Sequence, residues 1–160
     1  MSLSTPCRIQ QLTSSDLSTM DALLALFGKV FAEAAYVDKH PSADYMRRLL
    51  ESDYFIALVA FKNKKVVGGI AAYELRKYEQ ERSEIYLYDL AVAAAHRREG
   101  IATALIEELR KIAVIRGASV IFVQADTSVE DEPAIALYTK LGTKEEVLHF
   151  DIAVENERST

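Results

Sequence analysis

The segment with the most chemical content is Tyr88-Asp89-Leu90-Ala91-Val92, followed after a few alanines by His96-Arg97-Arg98-Glu99-Gly100-Ile101-Ala102-Thr103. An apolar strand empties here into a helix start, a junction that presents unpaired backbone N–H groups and the positive end of the helix dipole. Gly100 lets a ligand approach the backbone with no Cβ in the way, Arg97 and Arg98 add fixed positive charge, and Ala102 keeps the first turn low. A pyrophosphate fits such a place. The same residues also fit an ordinary helix start with two solvated arginines, and neither the P-loop pattern nor the dinucleotide fingerprint is present. His40, His96 and His149 show no metal-ligand spacing with acidic or cysteine partners, no Gly-x-Ser-x-Gly elbow occurs, and Cys7 near the start reads as packing.

The elements that must position this junction follow from periodicity. Cys7 to Leu12 reads as a short strand, and Thr13 to Asp16 offer N-cap chemistry before Leu17, Met20, Leu23, Leu24, Phe27, Val30 and Phe31 at helical spacing. Pro41 and Ser42 open a second helix that ends near Ser52 and Asp53. Tyr54 to Phe61 and the run from Val66 to about Leu75 read as two strands joined by a tight polar turn, with Gly68 and Gly69 expected to mark a bulge. After a charged loop, Arg76 to Arg82, the pattern predicts a strand over Glu84 to Val92, a helix from Gly100 to Gly117, a strand over Ser119 to Val123, and a helix from Pro133 to Gly142. Thr143 to Val154 is expected to form a last strand or hairpin. The tail from about residue 155 to 160 is expected to fray.

A hairpin before a strand-helix-strand unit points to a mixed α/β (α+β) sheet with helices on both faces, built as one domain over residues 1–160. With 50% hydrophobic and 27% charged residues, the chain can offset the entropy of ordering it, which excludes wholesale disorder. Nineteen Lys and Arg against twenty-four Asp and Glu leave a net charge of −5. That is the wrong sign for phosphate neutralisation, so a cationic substrate is expected and nucleic acid is not. The single cysteine fits a reducing cytoplasm, and no stretch approaches the ~20 apolar residues that span a bilayer, so no membrane partner is expected.

Arg97-Arg98-Glu99-Gly100-Ile101-Ala102, preceded by Leu90-Ala91-Val92, resembles the Gln/Arg-x-x-Gly-x-Gly/Ala signature of the GNAT superfamily of N-acetyltransferases, and Pro133 to Gly142 resembles that family's later helix motif. Over Arg8 to Ile152 the chain looks more narrowly like the type I aminoglycoside 3-N-acetyltransferases of the gentamicin kind. The resemblance implies the GNAT fold, a mixed and mostly antiparallel sheet splayed between its fourth and fifth strands, and acetyl-CoA (coenzyme A) as cofactor. It implies cofactor contacts along Leu90, Ala91 and Val92, around Arg97, Arg98, Glu99, Gly100, Ile101, Ala102 and Thr103, and at Ala134, Leu137 and Tyr138. It also implies a homodimer, and a role for Tyr138 as the acid that protonates the departing thiolate.

For the base, relatives place a glutamate on the fourth strand where this chain has Tyr86. Glu84, two residues earlier on the same face, and Asp126, after the next strand, could each reach an acceptor amine or hold it. Asp89, with opposite strand parity to Glu84, reads as a network residue. Asp126, Glu130, Asp131, Glu132 and Asp151 form an acidic supply suited to a polycation, and Tyr86, in the place of the relatives' glutamate, is a further candidate for holding the substrate. The expected activity is direct transfer of an acetyl group to the 3-amine of an aminoglycoside, which would confer resistance. The alternatives are a GNAT enzyme for a polyamine or a peptide N-terminus, and an acyl-CoA-binding module without catalysis.

Overall fold

The structure, a computed structural model, describes residues 7–127 and 131–155. In the first of two compact units, which runs to Gln124, strand β1 (Arg8–Gln11) leads into helix α1 (Leu17–Val30). Asp16 precedes that helix but does not cap it. Its carboxylate folds back to accept from the Thr13 amide at 2.8 Å and the Thr13 hydroxyl at 3.1 Å, so it shapes the turn instead. A short helix α2 (Ala35–Asp38) follows, then α3 (Ala43–Glu51), where Ser42 accepts from the Tyr45 amide at 3.2 Å as an N-cap should.

Strands β2 (Phe55–Lys62) and β3 (Lys65–Arg76) form the expected hairpin. Its two turn residues, Asn63 and Lys64, have φ of 50° and 64°, the left-handed pair that matches the twist of the flanking strands. β4 (Ser83–Val92), a 3-10 turn at Ala94–His96, α4 (Ile101–Arg116) and β5 (Ala118–Val123) complete this unit. The sheet runs β1-β2-β3-β4-β5, antiparallel except for the β4–β5 pair, which is parallel because α4 carries the chain back across the sheet.

One face packs α1 and α3 through Met20, Leu23, Phe27, Met46 and Leu50 onto Phe55, Ala57, Val59, Ala71 and Ala91. α4 buries Ile101, Leu105, Ile106 and Leu109, each worth about 1.5–3 kcal/mol of apolar burial. Gly68 and Gly69 do not form the bulge expected of them. The extra residue is Val67, since Ala60 pairs with Gly68 and Phe61 with Val66. The two glycines instead let helices approach: a methyl group at Gly69 would lie 2.3 Å from Leu23 Cδ1 and 2.7 Å from Leu58 O, and one at Gly68 3.1 Å from Ile101 Cγ2.

The second unit, from Ala125, holds α5 (Glu132–Leu141), with Pro133 in its first turn. The strand expected over Thr143 to Val154 is not formed: residues 143–153 carry no strand in the structure. An apolar pattern such as Val147, Leu148, Phe150 and Ile152 marks where a pleat could form, but a strand exists only where a neighbour completes its ladder. Glu130 and the tail beyond Glu155 lie outside the described residues.

Candidate active site

The geometry of the first unit turns on one inserted residue in β4. Ala71 of β3 pairs with Asp89 and Ala72 with Leu87, which leaves Tyr88 opposite nothing. Such a bulge bends the strand and re-aims the side chains beyond it. On its other edge β4 pairs with β5 only as far as Leu87, opposite Val123, and no strand of this unit covers the edge from Tyr88 to Val92. The Ala93 amide donates to Val67 O at 2.8 Å, toward β3. Strand alternation therefore directs the Val92 and Leu90 amides to the uncovered edge, where no strand of this unit takes them and a ligand lying along it could.

The same bulge corrects the strand parity expected for Asp89. Glu84 pairs with Leu75, Tyr86 with Tyr73 and Asp89 with Ala71, so the three β4 side chains stand on one face rather than two. Asp89 Oδ2 accepts a hydrogen bond of 2.9 Å from the Tyr36 hydroxyl of α2. Burial raises the Asp89 carboxyl above its ordinary value, and the Tyr36 bond opposes that rise without cancelling it. Tyr36 is pushed far above a free phenol by burial first and then by the negative Asp89. Around this pair stand Tyr73, Tyr86 and Tyr88. Tyr88 meets Tyr73 at 5.7 Å and Tyr86 at 5.5 Å, both edge-on, while Tyr86 stacks on Phe122 at 4.7 Å and donates to Gln124 Oε1 at 2.9 Å.

Past β4 the chain enters the basic loop. Arg98 has φ of 63° and Gly100 of 79°, so the loop closes through two left-handed residues before α4 begins. A methyl group at Gly100 would meet no atom within 4 Å, so the glycine answers to backbone conformation, and the space beside it is open. The amides of Ile101, Ala102 and Thr103, in the first turn of α4, have no partner within the helix. Arg97 and Arg98 are exposed beside them. Glu99 is turned away to brace the loop: it accepts from Lys62 Nζ at 2.5 Å and lies 3.3 Å from His96 Nδ1. The Lys62 hydrogen bond, more than the His96 contact, holds its carboxyl below the ordinary range. Amides, open space and two arginines form a cradle that fits a pyrophosphate, so the residues present suit coenzyme A.

Of the acids expected to work on an acceptor, Glu84 faces cations of the preceding loop, Arg82 at 3.7 Å and Lys77 at 3.9 Å. Asp126, Asp131 and Asp151 belong to the second unit. There the Asp126 amide donates to Asp131 Oδ2 at 2.7 Å, and Asp151 lies 2.9 Å from His149 Nε2. Ala134, Leu137 and Tyr138 are partly buried residues of α5 in that unit. The bulge therefore brings together Tyr73, Tyr86, Tyr88 and Asp89 with Tyr36, a group of which the sequence named Tyr86 for the acceptor and Asp89 as a network residue, and neither Tyr36 nor Tyr73. The signal was present as an aspartate inside an apolar strand, but its direction depends on a pairing shift that one strand alone does not display.

The family model of the GNAT acetyltransferases matches residues 20–143. Among solved structures, the chain is similar to an aminoglycoside acetyltransferase from an uncultured soil metagenomic sample, with 62% identity over 94% of this chain and 99% of that one and a TM-score of 0.92. It is also similar to an aminoglycoside acetyltransferase of soil metagenomic origin solved in complex with sisomicin, at 30% identity over 93% and 97% of the two chains and a TM-score of 0.86. N-acetyltransferase family 8 member 3 of Rattus norvegicus is 33% identical over 62% of this chain and 43% of its own length. Its Mus musculus counterpart is 28% identical over 88% and 65%. The chain thus spans less than two thirds of these curated relatives.

Proposed function

Because the chain belongs to the GNAT acetyltransferase family, we propose that its acetyl transfer from acetyl-CoA goes to an aminoglycoside, at the 3-amine of a gentamicin-type drug, by direct attack. The observation that carries the acceptor is the 62% identity to an aminoglycoside acetyltransferase across 94% of the chain. A sisomicin-bound relative at 30% identity supports the same acceptor class. A net charge of −5 suits a polycation.

Acetyl-CoA, when bound, supplies a thioester already activated for acyl transfer. The Ile101, Ala102 and Thr103 amides with Arg97 and Arg98 would hold its pyrophosphate, and the Leu90 and Val92 amides on the uncovered edge of β4 would offer donors to a carbonyl oxygen. We assign the proton of the attacking ammonium to Asp89 Oδ, whose raised pKa brings it closer to the range in which a base is effective. The Tyr36 hydroxyl keeps that carboxylate oriented through its 2.9 Å bond. Tyr138, on α5 with Ala134 and Leu137, is the proposed proton donor to the departing thiolate, and Asp126, Asp131, Asp151, Glu84 and Tyr86 are proposed to hold the other parts of the drug. Acetylation would remove one ammonium from the drug and with it one charge-assisted contact to its target.

A thiol-release assay with acetyl-CoA against sisomicin, gentamicin, spermidine and a peptide with a free N-terminus tests this reading, with the product's position read by NMR. Turnover on the two drugs with the acetyl group on the 3-amine is the expected result. Turnover confined to the peptide or spermidine overturns the acceptor claim. Acetyl-CoA binding without turnover on any amine overturns catalysis itself.

A further inference from the structure

We infer that Tyr73, Tyr86 and Tyr88, with Asp89, form a half-open aromatic cage that seats an ammonium group of the acceptor beside the reacting amine. The inference rests on the reading that the acceptor is a polyamine-like drug, and it assigns a residue, Tyr88, that sets which acceptors are held.

The cage arises from the bulge. Tyr73 and Tyr86 are cross-strand partners on one face, and Tyr88, the unpaired residue, stands its ring against both at interplanar angles of 88° and 74°. Tyr86 cannot swing away, because it stacks on Phe122 at 10° and its hydroxyl is tied to Gln124. Tyr73 is braced by Phe55 at 5.3 Å. Two walls are thus fixed, and the third, Tyr88, is 55% exposed, whereas Tyr86, Leu90 and Val92 of the same strand are partly buried and Ile85 and Leu87 fully so.

An exposed ring in the middle of a sheet strand leaves apolar surface in water, and it recovers that cost if a partner covers it. Tyr88 stands nearly perpendicular to Tyr73 and to Tyr86, so the three rings can form the walls of a corner, and a ring face bordering such a corner attracts a cation. Asp89 supplies the countercharge. Its charge helps to raise the phenol of Tyr86, behind burial and Tyr88, and that of Tyr73, behind burial, Tyr88 and Tyr45. A neutral acceptor would gain only the apolar part of this contact.

The test titrates the full chain, saturated with coenzyme A, with tetramethylammonium and with its neutral isostere 3,3-dimethylbutan-1-ol at matched ionic strength, following tyrosine ring resonances by NMR. In the native chain the cation should bind about five to thirty times more tightly than the alcohol, the span of a cation–π contact from exposed to desolvated. Tyr88→Phe should keep this preference and Tyr88→Leu should reduce it to less than half. Tyr88→Leu should also raise KM for sisomicin with kcat and coenzyme A affinity little changed. Equal binding of the two probes, or a preference undiminished in Tyr88→Leu, overturns the cage whether or not sisomicin is acetylated. A ring-dependent preference in a protein that fails to acetylate sisomicin upholds the cage and rejects the drug as acceptor.

Discussion

The two ends of the open edge of β4 are built by different means. At one end, the loop from Arg97 to Thr103 acts through its backbone: left-handed Arg98 and Gly100 turn the chain so that the first amides of α4 point outward. At the other, the bulge at Tyr88 acts through side chains, by bringing Asp89 round to the face where Tyr36, Tyr73 and Tyr86 stand. A backbone site tolerates varied side chains but not a varied conformation. A side-chain site tolerates small backbone changes but not loss of one carboxylate. Substitutions should accordingly separate cofactor affinity from turnover, with the division falling between Val92 and Arg97.

The largest effect is expected at the bulge. Asp89→Asn keeps an oxygen for the Tyr36 hydroxyl but removes the proton acceptor, and kcat on sisomicin should fall roughly a hundredfold to ten-thousandfold while coenzyme A affinity, read by calorimetry, is unchanged. The native pH profile adds a sign. Because the Asp89 carboxyl is raised, it is ionised only above that raised value, so kcat/KM should decline as pH falls through a point higher than the ordinary carboxylate pKa of 3.8, and that limb should vanish in the variant. Stability runs the other way. A raised folded pKa means the contribution is fully present below the unfolded value and is lost as pH rises through the folded one, so Asp89→Asn should melt higher than the native chain at neutral pH. Unchanged kcat in the variant would move the base elsewhere and dissolve the division just drawn.

How each region reads in the sequence follows from the same contrast. The loop's conformation was legible because it is local: Arg-Arg-Glu-Gly-Ile-Ala after an apolar strand states a turn, a helix start and its charge within a few residues. The hairpin turn at Asn63-Lys64, the Ser42 cap and the glycine end of α4 at Gly117 were legible for that reason too. The bulge was not, because a strand's parity is set by its partner. Counting by twos from Glu84 put Asp89 on the wrong face, and only the pairing of Ala71 with Asp89 and Ala72 with Leu87 restores it. The glycines misled in the opposite direction. Gly68 and Gly69 suggested a bulge, whereas they serve the helices above and below the sheet, contacts distant in sequence that no local pattern announces. Thr143 to Val154 shows the remaining limit, an apolar pattern with no ladder to give it strand form.

Two glycines test whether conformation and space are separable demands. Gly69→Ala places a methyl group against Leu58 O, a backbone atom that cannot rotate aside, and against Leu23 of α1. It should cost about 1–3 kcal/mol by overpacking, seen as a lower melting temperature with coenzyme A affinity preserved in the folded fraction. Gly100→Ala meets no neighbour at all but forces alanine to a φ of 79°. The expected cost is smaller, about 1–2 kcal/mol, and it should appear partly as weaker coenzyme A binding because the loop relaxes out of its cradle. Equal effects of both on cofactor binding would mean that the loop and the sheet beneath it are not independent.

The smallest effect tests whether the loop needs its side chains. Glu99 is the one acidic residue in the cradle, and it is directed to Lys62 of the hairpin rather than to the space beside Gly100. Glu99→Gln keeps a hydrogen-bond acceptor for Lys62 and removes one negative charge from the neighbourhood of the pyrophosphate. Two consequences oppose each other: the brace is weakened, and repulsion of the phosphates is relieved. Since the carboxyl is held below the ordinary range by Lys62, its bracing contribution is present above the unfolded pKa and lost only as pH falls through the lowered one. At neutral pH the native brace is therefore intact. If the cradle is a backbone site, the variant should bind coenzyme A within about twofold of the native affinity at physiological salt, because Gln keeps an acceptor for the largely covered Lys62 amine and the turn itself sets the amides. A large loss of affinity would show instead that the Lys62 tie, and not the left-handed turn, holds the amides in place.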